Sequence, residues 1–136
     1  MTNNNFSSKP LTHSKDIMQI LSETKAQISE VDIAQMRSWQ QDSLKKSNSF
    51  NLIDVRETPE FEQGYIPGAM HIGRGVLDLK IANVIPDKSE LIVLYCGSGV
   101  RSAFAALRLQ QLGYTNVHSM LLGIKGWFGL GLPIDN

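Results

Sequence analysis

Cys96 is the only thiol of the chain, and its surroundings are unusual for a lone cysteine. It stands in "VLYCGSGVRSAFAA", residues 93–106, after an apolar run and before a Gly-x-Gly turn, with Arg101 and an alanine-rich stretch beyond. The thiolate, not the thiol, is the nucleophilic form of cysteine. Gly97 and Gly99 allow the backbone of Gly97, Ser98, Gly99, Val100 and Arg101 to curl, so that several N–H groups can converge on one point. That point lies beside the start of a helix, where the dipole adds partial positive charge. Arg101 adds a full one. Each contribution favours a sulfur anion, so the predicted chemistry is nucleophilic. A buried cysteine acting as a small hydrophobe would account for the position but not for the whole combination.

The rest of the composition narrows the setting. One cysteine excludes an intramolecular disulfide and any multi-cysteine metal site. His13 and His118 have no partner nearby in sequence, and His71 reads as a turn or core residue, so no metal or cofactor is expected. Basic and acidic residues number 13 each, which argues against a nucleic-acid surface or a membrane-binding patch. The opening "MTNNNFSSKPLTHSKD" has no apolar core, and no stretch reaches the length of a membrane span. A reducing, cytoplasmic compartment is the expectation, and it would keep Cys96 free. Trp39 and Trp127 read as core, and Lys45-Lys46 as a solvated face.

The elements that must position Cys96 alternate along the chain. Residues 1 to about 12 are expected to be disordered. "SKDIMQILSETKAQI" predicts a helix with Ile17, Ile20, Leu21, Thr24 and Ile28 on one face and Ser14 as N-cap. Ser29 with Asp32 suggests a capping box opening a second helix, with Ile33, Met36 and Trp39 inward. "FNLIDV" predicts a strand, "TPEFEQG" a short helix starting at Pro59, and "YIPGAMHI" a turn into a short strand. "RGVLDLKIANVI" predicts a helix facing inward with Leu77, Ile81 and Val84. "ELIVLYC" is a continuous apolar run, as for a central strand buried on both faces. A helix from about Ser102 to Gly113, the strand "TNVHSM" and a last helical turn in "IKGWFGLG" complete the chain. The pattern predicts an α/β domain with a mostly parallel sheet, and it places Cys96 beyond the carboxyl end of the central strand, where such sheets bind ligands.

Five separated pieces, "LIDVRE", "EFEQGYIPGAMHI", "IVLYCGSGVRSAFAA", "LGYTNVHSMLLGIKGW" and "GLP", resemble the rhodanese-domain family of sulfurtransferases over about residues 29–136. "RGVLDLKI" further resembles small bacterial single-domain members. The resemblance implies a three-layer α/β domain with a five-stranded, mainly parallel sheet flanked by helices. Residues 1–28 would then be an N-terminal helical extension, packed on the domain or pairing two copies into a homodimer. The implied activity is relay of sulfane sulfur through a Cys96 persulfide cradled by Gly97 to Arg101. Asp54, Arg56 and Ser102 would be supporting residues, with Asp54 and Arg56 an ion pair bracing the loop. The implied donor is a small anionic sulfur compound or a protein persulfide. The implied acceptor is a thiol or protein cysteine, with cyanide serving in an assay. A non-catalytic sulfur carrier or protein-binding module is the alternative.

Departures from the family pattern set further expectations. Four residues separate Cys96 from Arg101, one fewer than in cysteine phosphatases, whose arginine position is here Ser102. The shorter loop suits a single sulfur better than a tetrahedral oxyanion. "CGSGV" resembles the mercaptopyruvate-using branch, which carries threonine or a similar residue where Arg101 stands. Glu60 occupies the position of a substrate arginine and would repel an anionic donor. Leu122-Gly123 replaces the usual Gly-Gly before the last helix.

Overall fold

The computed structural model describes residues 14–46 and 48–136, so the expected disordered start lies outside the described residues. Its centre is the run Ile92–Tyr95, strand β4, in which all four residues are buried. Alternation sends Ile92, Leu94 and Cys96 into one apolar cluster and Val93 and Tyr95 into another. Burial on both faces requires strands on both sides, and these are β5 (Val117–Met120) and β2 (Asn51–Asp54). The two-residue β3 (Met70–His71) and three-residue β1 (Ser29–Val31) form the edges. The order is β1-β5-β4-β2-β3 and every pairing is parallel.

Helices cover both faces, as a parallel sheet demands. On the Cys96 face, α4 (Arg74–Val84) supplies Leu77 and Ile81, and α5 (Val100–Gln111) supplies Ala105, Ala106 and Leu109. On the opposite face, α2 (Ile33–Lys46) supplies Ile33 and Met36, and α6 (Gly123–Gly129) supplies Trp127. A short helix, α3 (Thr58–Glu62), carries Pro59 in its first turn and follows β2. The first helix, α1 (Ile17–Lys25), packs against α5 and buries Leu21 and Thr24. Ile17, Met18 and Ile20 remain exposed on it.

Four local expectations are corrected. Asp16, not Ser14, caps α1, accepting from the N–H of Gln19 while the Gln19 side chain accepts from the N–H of Asp16. Ser29 is not a cap but part of β1, paired with His118, because "SEV" completes the sheet edge beside β5. Asp32 caps α2 alone, accepting from the N–H of Gln35 at 2.8 Å. Val84 is largely exposed, and Ile85, one residue past the helix, is buried in its stead. Helix α5 begins at Val100 rather than Ser102, and Gly113 ends it with φ of 96°.

A buried ion pair lies inside this apolar frame. Asp54, at the end of β2, is wholly buried, and Arg56 wraps back on it with Nε at 3.1 Å and Nη2 at 2.8 Å. The N–H of Arg56 donates to Asp54 Oδ1 at 2.9 Å, and Nη2 also donates to the carbonyl of Gly64 at 2.7 Å. The expected ion pair is thus present, and it clamps the turn after β2 to the end of α3. A buried pair contributes little beyond what an apolar pair would, but removing one partner leaves a bare charge. Asp54→Ala should therefore cost about 3–5 kcal/mol in urea unfolding. Replacing Asp54 and Arg56 together by apolar residues should cost clearly less, and equal losses would show that charge burial is not the source.

Candidate functional site

Strand β4 delivers Cys96 to the carboxyl edge of the sheet, and the chain turns at once. Gly99 takes φ of 102°, a left-handed value that glycine adopts without steric penalty, and α5 starts at the next residue. The turn wraps around the sulfur. The N–H of Gly99 donates to Cys96 Sγ at 3.2 Å and that of Ser102 at 3.4 Å, while Ser102 Oγ lies at 3.6 Å. Cys96 is only 1% exposed. Burial alone pushes the thiol up, but the hydroxyl of Ser102 and the N–H groups of Ser102, Gly99 and Ser98 outweigh it, and the net shift is downward. The structure places these N–H groups around Sγ at the start of α5.

N–H groups can face the sulfur only if the loop carbonyls face elsewhere. Those carbonyls are taken up by α6: the N–H of Ile124 donates to Cys96 O at 2.9 Å and that of Lys125 to Gly97 O at 3.0 Å. Gly123 makes this approach possible. Its φ is 54°, and a Cβ there would lie 2.5 Å from both carbonyl oxygens. The neighbouring Leu122, which stands in place of the first glycine of the usual Gly-Gly, also sits in the left-handed region, at φ 69°.

Arg101 is engaged by a carboxylate. Its Nη1 and Nη2 donate to the two carboxylate oxygens of Glu60 at 2.7 and 3.0 Å, a fork that joins α5 to α3. The Arg101 hydrogen bond holds the Glu60 carboxyl down at about 2. Glu60 is thus matched by Arg101, and neither is a bare charge at the mouth of the loop. Beside the pair lies a cleft of about 420 Å³, lined in part by Glu60, Ile124, Lys125 and the exposed Phe128.

Of the residues singled out in the sequence, the structure brings Cys96, the loop N–H groups and Ser102 together and pairs Asp54 with Arg56 in the interior. Sequence reasoning missed Ser119, whose hydroxyl is buried 2.8 Å from that of Ser102. It also missed Ile124 and Lys125 as the braces of the loop. His71 does not join the site: its Nε2 lies 2.7 Å from the Arg56 carbonyl and its ring stacks on Phe61. Among the described residues no group of three or more His, Cys, Asp or Glu could hold a metal ion, and no helix is long and apolar enough to cross a membrane.

The model of the Rhodanese-like domain family matches residues 36–130, which include the whole cysteine loop. The chain belongs to the rhodanese family. This rhodanese domain is 32% identical over 108 residues to YrkF of Bacillus subtilis, a protein named as a sulfur carrier, matching 79% of this chain and 55% of that one. It thus spans about half the length of that relative. A sulfurtransferase of Allochromatium vinosum is 36% identical over 83 residues, 61% of this chain and 76% of the other. Among solved structures, a Rhodopseudomonas palustris protein of unknown function, described as a possible tyrosine phosphatase, superposes with a TM-score of 0.80 at 26% identity. That match covers 94% of this chain and all of the other. A rhodanese with anions from Escherichia coli gives 0.55 at 28% identity, over 65% and 99% of the two chains.

The geometry predicts how the thiol titrates. The rate of Cys96 alkylation should rise with pH through a midpoint below 9.0, the unperturbed reference. A folded value below the unfolded one means that the thiolate adds stability above the unfolded value, lost as pH falls through the folded one. Gly123→Ala should drive a Cβ into both carbonyls, lower the melting temperature and raise the midpoint together. A midpoint unmoved in a destabilised Gly123→Ala protein would show that α6 does not aim the N–H groups.

Proposed function

We propose that this protein relays sulfane sulfur through a persulfide on Cys96. The observation that carries the reading is the ring of donors on a buried sulfur, with the carbonyls of the same loop turned outward onto α6. In the first step the Cys96 thiolate attacks the outer sulfur of the donor. The new S–S bond forms as the donor's own bond to that sulfur breaks, and the donor departs with the electron pair, as sulfite when the donor is thiosulfate. Loop N–H groups that held the thiolate are placed to hold the terminal persulfide anion instead. In the second step an acceptor thiolate, or cyanide in an assay, attacks the outer sulfur. The Cys96–sulfur bond breaks and its electrons return to Cys96 as thiolate. No oxidant or general base is required.

Relatives named as sulfurtransferases support this reading, and the likeness to a sulfur carrier supports a second one, in which Cys96 only ferries sulfur between proteins. The phosphatase reading is disfavoured by the four-residue spacing from Cys96 to Arg101. Incubation with thiosulfate should add the mass of one sulfur atom at Cys96, and cyanide should remove it. Cys96→Ser should show neither, with an unchanged circular dichroism spectrum; transfer persisting in Cys96→Ser would end the proposal. Persulfide formation only from a protein donor, without turnover of small donors, would select the carrier.

Arg101 is assigned a bracing role. Its fork to Glu60 is more than a third exposed on the Glu60 side, so it contributes at most about 1 kcal/mol to stability. Arg101→Ala should lower the melting temperature by a few degrees and slow small and protein-borne donors alike. Because the Glu60 carboxyl is held down, the pair is fully formed above the ordinary carboxylate value of 4.5 and is lost as pH falls toward about 2. A selective loss of thiosulfate turnover at unchanged melting temperature would assign Arg101 to the donor.

A further inference from the structure

Ser119 has a buried hydroxyl that neither the fold nor the sulfur relay explains. It sits on β5, in register with Leu94 of β4 and Glu30 of β1, on the face covered by α5. It is 1% exposed. Ser119 Oγ has one side-chain or backbone partner among the described residues, Ser102 Oγ at 2.8 Å. Ser102 Oγ in turn has two neighbours, Ser119 Oγ and Cys96 Sγ at 3.6 Å. Three polar atoms therefore form a buried line from β5 through α5 to the sulfur.

We propose that Ser119 is a positioning residue that fixes the direction of this line and so biases Cys96 toward the thiolate. Each hydroxyl has one hydrogen to place, and buried hydroxyls place it on an acceptor. Among the described residues the acceptor within reach of the Ser119 hydrogen is Ser102 Oγ. Once that bond is made, the Ser102 hydrogen is directed to the remaining neighbour, Sγ, which then accepts from Ser102 Oγ as well as from the N–H groups of Gly99 and Ser102. Three donors on one sulfur favour the thiolate over the thiol. The opposite direction runs from Sγ–H into Ser102 and from Ser102 into Ser119, and it leaves the Ser119 hydrogen with nothing to bind. Ser119 thus penalises the neutral thiol. It also polarises Ser102, since a hydroxyl that accepts a hydrogen bond donates a stronger one.

Removing the Ser119 hydroxyl relieves the penalty, because Ser102 can then accept from Sγ–H without leaving another buried hydroxyl hydrogen unbound. The charged groups around the sulfur would be untouched: Arg101 on α5, Glu60 on α3, the Asp54–Arg56 pair after β2 and Lys125 on α6. Any change in titration would then come from the hydroxyl line.

The test needs no sulfur donor, so it stands or falls apart from the sulfur-relay reading. Alkylation of Cys96, the sole thiol, is followed against pH in the wild type, Ser119→Ala, Ser119→Thr, Ser102→Ala and the Ser102→Ala/Ser119→Ala double variant. Ser119→Ala should raise the midpoint by about half a unit, roughly a threefold loss of thiolate below it. Ser119→Thr, which keeps the hydroxyl, should return to the wild-type midpoint. The double variant should match Ser102→Ala alone, because Ser119 acts only through Ser102. An unmoved midpoint in Ser119→Ala, shifts that add in the double variant, or equal shifts in Ser119→Ala and Ser119→Thr would each overturn the inference. Should alanine loosen the strand, Ser119→Val carries the same comparison.

Discussion

A loop that offers N–H groups to a buried sulfur must send its carbonyls somewhere else, and the rest of this structure follows from where they go. Cys96 and Gly97 give theirs to the N–H groups of Ile124 and Lys125. That pairing fixes α6 against the loop, demands a residue without a side chain at Gly123, and makes β5 the strand that must hold α6 in place. Buried carbonyls left without donors would cost more than the sulfur could return. The loop and the last helix therefore form one unit, although the chain between them crosses α5 and a whole strand.

Charge plays a smaller part near the sulfur than residue types suggest. Two arginines stand close to the loop, yet each is committed to a carboxylate: Arg56 to Asp54 in the interior and Arg101 to Glu60 at the rim. The contacts made directly to Sγ come from dipoles, the N–H groups of Gly99 and Ser102 and the hydroxyl of Ser102. Preorganised dipoles need no rearrangement to hold a charged sulfur. The arginines maintain the walls within which those dipoles are aimed.

The sheet and the position of Cys96 were legible in the sequence because they rest on local signals. "LIVLY" is apolar enough to be a central strand, and Gly97 and Gly99 announce the turn. What escaped is what depends on distance along the chain. Glu60 and Arg101 meet across 41 positions, and Ser102 and Ser119 across 17. A serine in "TNVHSM" gives no sign that its side chain faces another hydroxyl. Ser29 misled for the opposite reason: "SEV" carries a strong local capping pattern, but its pairing with β5 overrode it. Val84 and Ile85 exchanged places because the chain leaves helical geometry at Ile85, with φ of −131°, and turns that side chain inward.

Leu122 and Gly126 carry a last consequence. A leucine at φ 69° is held in a conformation that costs an L-residue about 1–2 kcal/mol. Its Cβ lies 2.5 Å from where a Cβ on Gly126 would stand, one turn along α6. Leucine at 122 therefore obliges glycine at 126, in a helix where alanine would otherwise be favoured by about 1 kcal/mol. The two positions are a single choice. A lineage could pass from this arrangement to glycine followed by alanine only in one order, because alanine at 126 has no room until the leucine has gone. The start of α6 thus records the order in which its residues could have been replaced.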